Sequence, residues 1–149
     1  MTDGNGPARR LFCFGFGYTA EALAARLMAE RWRVAGTCQT ADKLAALETR
    51  GIDAHLFSRD HPLEDAEATF AGTTHLLDSI PPDPSGDPVL DQHPIEIASL
   101  AGLEWAGYLS TTGIYGDRGG DWVDESDEPS PSGVRGRRRV EAEASWTSI

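Results

Sequence analysis

Leu11-Phe12-Cys13-Phe14-Gly15-Phe16-Gly17-Tyr18-Thr19-Ala20, followed by Glu21-Ala22-Leu23-Ala24-Ala25-Arg26-Leu27-Met28, decides the fold. Leu11 to Phe14 is a short apolar run that ends in Gly. From Ala20 the apolar positions change period: Ala20, Leu23, Ala24, Leu27 and Met28 fall on one helical face, and Glu21, Arg26 and Glu30 point away. The stretch therefore reads as strand, Gly turn, helix.

Outward from it the alternation continues. Val34 to Thr37 reads as a second strand, Ala41 to Arg50 as a second helix stopped by Gly51, and Ile52 to Phe57 as a third strand. After a polar stretch, Thr74 to Ile80 is a fourth strand that runs into the Pro-rich loop 81–88, where neither strand nor helix can continue. Val89 to Leu103 is a helix candidate despite Pro94, and Trp105 to Ser110 is a fifth strand. Strands separated by helices predict right-handed crossovers and an α/β fold, a doubly wound parallel sheet of Rossmann type with about five strands. The acidic loop Gly116 to Pro131 leads into Arg135, Arg137, Arg138 and Arg139, then a helix-like run from Val140 to Trp146. The two charge blocks are expected to neutralise one another across the surface. Residues 1–9 read as a disordered lead-in, and 10–149 as one domain.

Gly15 to Ala20 is a GxGxxA sequence set between a strand and an amphipathic helix, the context in which that pattern carries chemistry. Gly15 permits the tight turn, Gly17 leaves room for a pyrophosphate to approach the backbone, and Ala20 lets the helix sit close to the sheet. Free amides at the helix start then face an anion without help from Lys or Arg. The candidate dinucleotide contacts are Gly15, Phe16, Gly17, Tyr18 and Thr19 for the diphosphate. Gln39 and Thr40 border the adenosine ribose, and Ser79 and Ile80 the nicotinamide side. The second strand ends in Thr37-Cys38-Gln39-Thr40, with no carboxylate to repel a 2′-phosphate and with Lys43 nearby, so NADP is slightly favoured over NAD; Asp42 keeps NAD open.

Composition limits the partners. With 149 residues, 24 Asp plus Glu against 13 Lys plus Arg and a formal net charge of −11, the chain would repel a phosphate backbone, so nucleic acid is not an expected partner. No apolar run reaches the roughly 18 to 20 residues needed to span a bilayer. Arg9-Arg10 before Leu11-Phe12-Cys13 has the look of a twin-arginine signal, but Glu21 and Arg26 interrupt the apolar stretch, and export is not expected. Cys13 and Cys38 lie in apolar, strand-like segments, as reduced thiols of a cytoplasmic protein would. His55, His61, His75 and His93 have no metal-ligand spacing, so no metal is expected.

Tyr108-Leu109-Ser110-Thr111-Thr112-Gly113-Ile114-Tyr115-Gly116 forms a second constellation at the carboxyl end of the fifth strand, the side on which open parallel sheets bind ligands. Together with Gly15 to Ala20, Ser110 to Gly116 resembles the short-chain dehydrogenase/reductase superfamily, in particular its extended and atypical NAD(P)-dependent epimerase/dehydratase-like branch. The likeness covers most of residues 10–146. It implies an NAD(P)-dependent enzyme acting on a sugar-nucleotide or other small hydroxyl or carbonyl substrate. Thr111 would hydrogen-bond the substrate oxygen, and Tyr115 and Tyr108 are candidate catalytic phenols. Matching Glu141 and Glu143 to the family's trailing acids puts Arg135 where the family has its catalytic Tyr and Arg139 where it has the Lys. A guanidinium stays protonated and offers only donors, so Arg135 and Arg139 could clamp an anionic substrate but could not cycle as acid and base. That departure opens an alternative, a non-catalytic NAD(P)H-binding sensor. The resemblance also implies later strands beyond the length of this chain, hence a truncated form, a fragment or a partner chain, and an apolar sheet edge that invites homo-oligomers.

Overall fold

The computed structural model describes residues 8–149; most of the expected lead-in lies outside the described residues, and Ala8 and Arg9 are exposed and in no regular element. Five strands, β1 (Arg10–Phe14), β2 (Arg33–Cys38), β3 (Asp53–Leu56), β4 (His75–Asp78) and β5 (Trp105–Tyr108), form one sheet in the order β3-β2-β1-β4-β5. Every pairing is parallel: Phe12 faces Ala35 and Leu76, Thr37 faces His55, and Asp78 faces Tyr108. Helices α1 (Tyr18–Ala29), α2 (Ala41–Thr49), α3 (Ala66–Phe70), α4 (Pro88–Gln92), α5 (Pro94–Ala98) and α6 (Val134–Thr147) complete it. The sheet is doubly wound, as its βα alternation predicts.

Central β1 is buried along its whole length, which is why it reads as an unbroken apolar run rather than an alternating one. Its side chains divide between two cores. Leu11 and Cys13 join Val34, Leu77 and the small Ala20 and Ala24 of α1 on one face, and Phe12 and Phe14 join Leu76, Phe70, Val89 and Ile97 on the other. The second core is built on edge-to-face rings, Phe12 with Phe70 at 5.0 Å and Phe14 with Phe57 at 5.3 Å. Both thiols are buried and free, and desolvation pushes Cys13 up to about 12.

Three expectations need correction. The single helix over Val89 to Leu103 is two short ones, because Pro94 lacks an N–H and draws His93 out of helical geometry (φ −131°, ψ 38°). The final helix begins at Val134 and includes the Arg run, six residues earlier than the periodicity suggested. The acidic and basic blocks do not pair: among the described residues no ion pair joins 117–128 to Arg135, Arg137, Arg138 or Arg139. Arg118 instead donates to the carbonyl of Glu128 in the acidic loop and to that of Tyr115 just before it. No helix among the described residues is long and apolar enough to cross a membrane.

Candidate nucleotide cleft

The chain winds away from β1 in both directions, to β2 and β3 on one side and to β4 and β5 on the other. The loops after β1 and β4 therefore part at the sheet's carboxyl rim, the place where open α/β sheets take ligands. A cleft of about 440 Å³ opens there, lined by Gly15, Phe16, Gly17, Thr37, Cys38, Gln39, Thr40, Lys43, Phe57, Ser79, Ile80 and Pro81. Seven of the nine candidate dinucleotide contacts, Gly15, Phe16, Gly17, Gln39, Thr40, Ser79 and Ile80, meet on its walls. Tyr18 and Thr19 stand exposed in the first turn of α1 beside it.

The glycine loop is held from below. Gly15 has φ +81°, and a Cβ there would lie 2.7 Å from Ser79 Oγ, so only glycine fits. The Gly15 N–H donates to Thr37 Oγ1 at 2.9 Å, and the Ser79 hydroxyl donates to the Phe14 and Gly15 carbonyls at 2.9 and 3.1 Å. Phe16 turns its ring down onto Gly36 of β2, where a Cβ would be 2.6 Å from Phe16 Cδ2. Gly17 differs: a Cβ there would meet nothing within 4 Å, and it caps α1 with no side-chain bond. The Glu21 N–H makes the first helical bond, to the Gly17 carbonyl, so among the described residues the amides of Tyr18, Thr19 and Ala20 have no partner.

Charge at the rim suits an anion. Glu21, in the first turn of α1, would oppose one, but Lys43 and Arg50 both engage it, and the bond from Lys43 holds its carboxyl below the usual range. Among the described residues no carboxylate lines the cleft, and Lys43 does. Asp42 lies outside it, exposed in the first turn of α2.

Thr111, Tyr115, Arg135 and Arg139 do not line the cleft. Thr111 is exposed and caps the short 3₁₀ turn Thr112–Tyr115, its hydroxyl accepting from the Gly113 N–H at 3.2 Å. Tyr115 is half-buried and Arg135 exposed. Arg139 is occupied: its guanidinium donates to the Leu109 carbonyl and lies 5.8 Å from the centre of the Tyr108 ring. Sequence reasoning missed Thr37, which looks like an ordinary β-former yet is buried and holds the loop amide. Thr37→Val keeps the shape and orphans the Gly15 N–H, so a loss of about 1 to 3 kcal/mol of stability is expected by urea denaturation.

No protein-family model and no curated protein matches the chain. Solved structures do. A functionally unknown conserved protein from Silicibacter pomeroyi is 40% identical over 95% of this chain and 49% of its own, with a TM-score of 0.84. WbmG from Bordetella bronchiseptica, solved with NAD and UDP, is 18% identical over 94% of this chain and 49% of its own, with a TM-score of 0.69. A UDP-N-acetylglucosamine 4-epimerase from Bacillus cereus is 12% identical over 92% and 47%, with a TM-score of 0.64. The chain spans about half the length of these structures. Over that half it shares the parallel, Rossmann-type fold of WbmG and of the UDP-N-acetylglucosamine 4-epimerase.

Proposed function

We propose that this chain binds a nicotinamide dinucleotide in the cleft between β1, β2 and β4, with the diphosphate on the unpartnered amides of α1 over Gly17. That open, donor-rich helix start at the sheet's switch point is the observation that carries the reading. Gln39 and Thr40 border the adenosine ribose, and Ser79 and Ile80 the nicotinamide side. NADP is the favoured form, because among the described residues the ribose end of the cleft offers no carboxylate and offers Lys43, which a 2′-phosphate would draw from its ion pair with Glu21. A thermal-shift titration tests both points, since a ligand confined to the native state raises the melting temperature with its occupancy. NADPH is expected to stabilise more than NADH, and Lys43→Ala to weaken NADPH about tenfold, the equivalent of about 1.4 kcal/mol, while leaving NADH little changed. Equal shifts for the two cofactors in both proteins would remove the NADP preference.

The fold favours chemistry of the epimerase, dehydratase or reductase kind on a sugar-nucleotide or another small hydroxyl or carbonyl substrate, with Thr111 polarising it and Tyr115 as the phenol. A specific observation favours a second reading, a binding chain without turnover: Arg139, at the family's Lys position, is spent on the Leu109 carbonyl and the Tyr108 ring. Hydride transfer from NADPH to a carbonyl panel supports the first reading, and tight binding without oxidation supports the second.

A further inference from the structure

Asp78 ends β4 one residue before the cleft wall and is fully buried. Its Oδ1 accepts the Ile80 N–H at 2.9 Å, which fixes the backbone of that wall, but its Oδ2 has no partner. Asp87, 4% exposed at the start of α4, is its charged neighbour. Three acceptor positions of Asp87 are filled by donors: Oδ1 takes the Val89 and Leu90 amides, at 2.9 and 3.1 Å, and Oδ2 takes Trp146 Nε1 of α6 at 3.0 Å. Two buried carboxylates side by side repel, and an unpartnered carboxylate oxygen in a dry site is strongly unfavourable. One proton removes both problems, because a protonated Asp78 donates where otherwise two acceptors face each other.

We propose that Asp78 and Asp87 hold one proton between them, and that this proton makes nucleotide binding in the cleft pH-dependent by setting the position of Ile80 and tying that wall to α6 through Trp146. Asp78 is thus a positioning residue that touches no ligand. The second half of the proposal rests on the nucleotide reading; the first does not.

Other charges around the pair do not supply the missing donor. From β5, Tyr108 contributes a hydroxyl that is itself buried and unpartnered, its pKa pushed up to about 12 by burial. From α6, Arg139 is held by the Leu109 carbonyl, Glu143 lies by Tyr108, and Arg138 and Glu141 border the shallow groove beside Asp87. From α4, Asp91 in that groove is paired with Arg59. Consistent with the geometry, burial first and the charge of Asp87 second push Asp78 up to about 8. A carboxyl raised in the folded state binds its proton more tightly there than in the unfolded chain. Its contribution is fully present at acid pH and is lost as pH climbs from the ordinary carboxylate range towards 8.

Asp78→Asn tests this, because the amide accepts from Ile80 and donates to Asp87 with nothing to titrate. Between pH 6 and pH 9, wild type is expected to lose at least about 4 °C of melting temperature relative to Asp78→Asn. Over the same range wild type is expected to lose about tenfold in NADH affinity, while Asp78→Asn keeps at pH 9 the affinity it has at pH 6. Parallel melting curves would overturn the shared proton. Diverging melting curves with pH-independent NADH binding by wild type would overturn the coupling to the cleft. Absence of binding of both NADH and NADPH by both proteins would overturn the nucleotide reading and the coupling with it, and the melting curves would still report the proton.

Discussion

Gly36→Val is expected to cost the protein about 3 kcal/mol of stability or more. Gly36 sits inside β2, where a residue without a side chain normally weakens a strand. Here the space is already taken: a Cβ would lie 2.6 Å from the Cys13 carbonyl oxygen and 2.6 and 2.7 Å from two carbons of the Phe16 ring. The first neighbour is backbone of the central strand and cannot move. The second is the buried ring that anchors the glycine loop, so displacing it would also lift the cleft's floor. Overpacking costs about 1 to 3 kcal/mol and sometimes more, and two branches added to a contact already below van der Waals distance belong at or above the top of that range. Against a total of about 5 to 15 kcal/mol, such a loss shows as a large drop in the urea midpoint and in melting temperature. A midpoint within a few tenths molar of wild type would mean that β2 and the loop after β1 are not packed as described.

Gly17→Asp is expected to act in the opposite way, removing binding while sparing the fold. Nothing lies within 4 Å of a Cβ at Gly17, and α1 starts there without a side-chain cap. Asp is a favoured capping residue and suits the positive end of a helix, so stability should stay level or rise by a few tenths of a kcal/mol. The same carboxylate would occupy the space that a diphosphate needs and satisfy the amides that would hold it. A loss of about a hundredfold in NAD(P)H affinity, about 2.8 kcal/mol, is expected by fluorescence titration. A variant that melts like wild type and also binds like wild type would place the diphosphate elsewhere.

Much of this architecture can be read from residues 11–28 alone, since a buried apolar strand, a glycine turn and a helical period in direct succession admit few other folds. The parallel, doubly wound sheet followed from the repeated alternation. What escaped is instructive in kind. Helix α3 has five residues, too few to display a period, and rests on its Asp65 cap and on Phe70 in the core. Pro94 divides α4 from α5 through a constraint on the residue before it, which an apolar count does not register.

The candidate site shows the same division. Residues next to the glycines in sequence, or at the ends of β2 and β4, converge because the sheet brings strand ends together. Thr111 and Tyr115 also follow a strand end, but β5 is separated from β1 by β4, and they lie off the cleft. Thr37, Gly36 and Asp78 were invisible as support because their importance lies in what each meets across the sheet: an amide, a ring and a second buried carboxyl.

The most direct measurement is a titration of uniformly ¹⁵N-labelled wild-type protein with NADPH, followed through its backbone amide resonances. A dinucleotide seated on α1 predicts saturable shifts at Gly17 to Ala20, at Gln39 and Thr40, and at Ser79 and Ile80, with Gly15 moving less because its N–H is already bonded to Thr37. Shifts confined to the surface around Thr111 and Arg135, or no saturable shift at millimolar NADPH and NADH, would contradict a nucleotide site at the glycine loop.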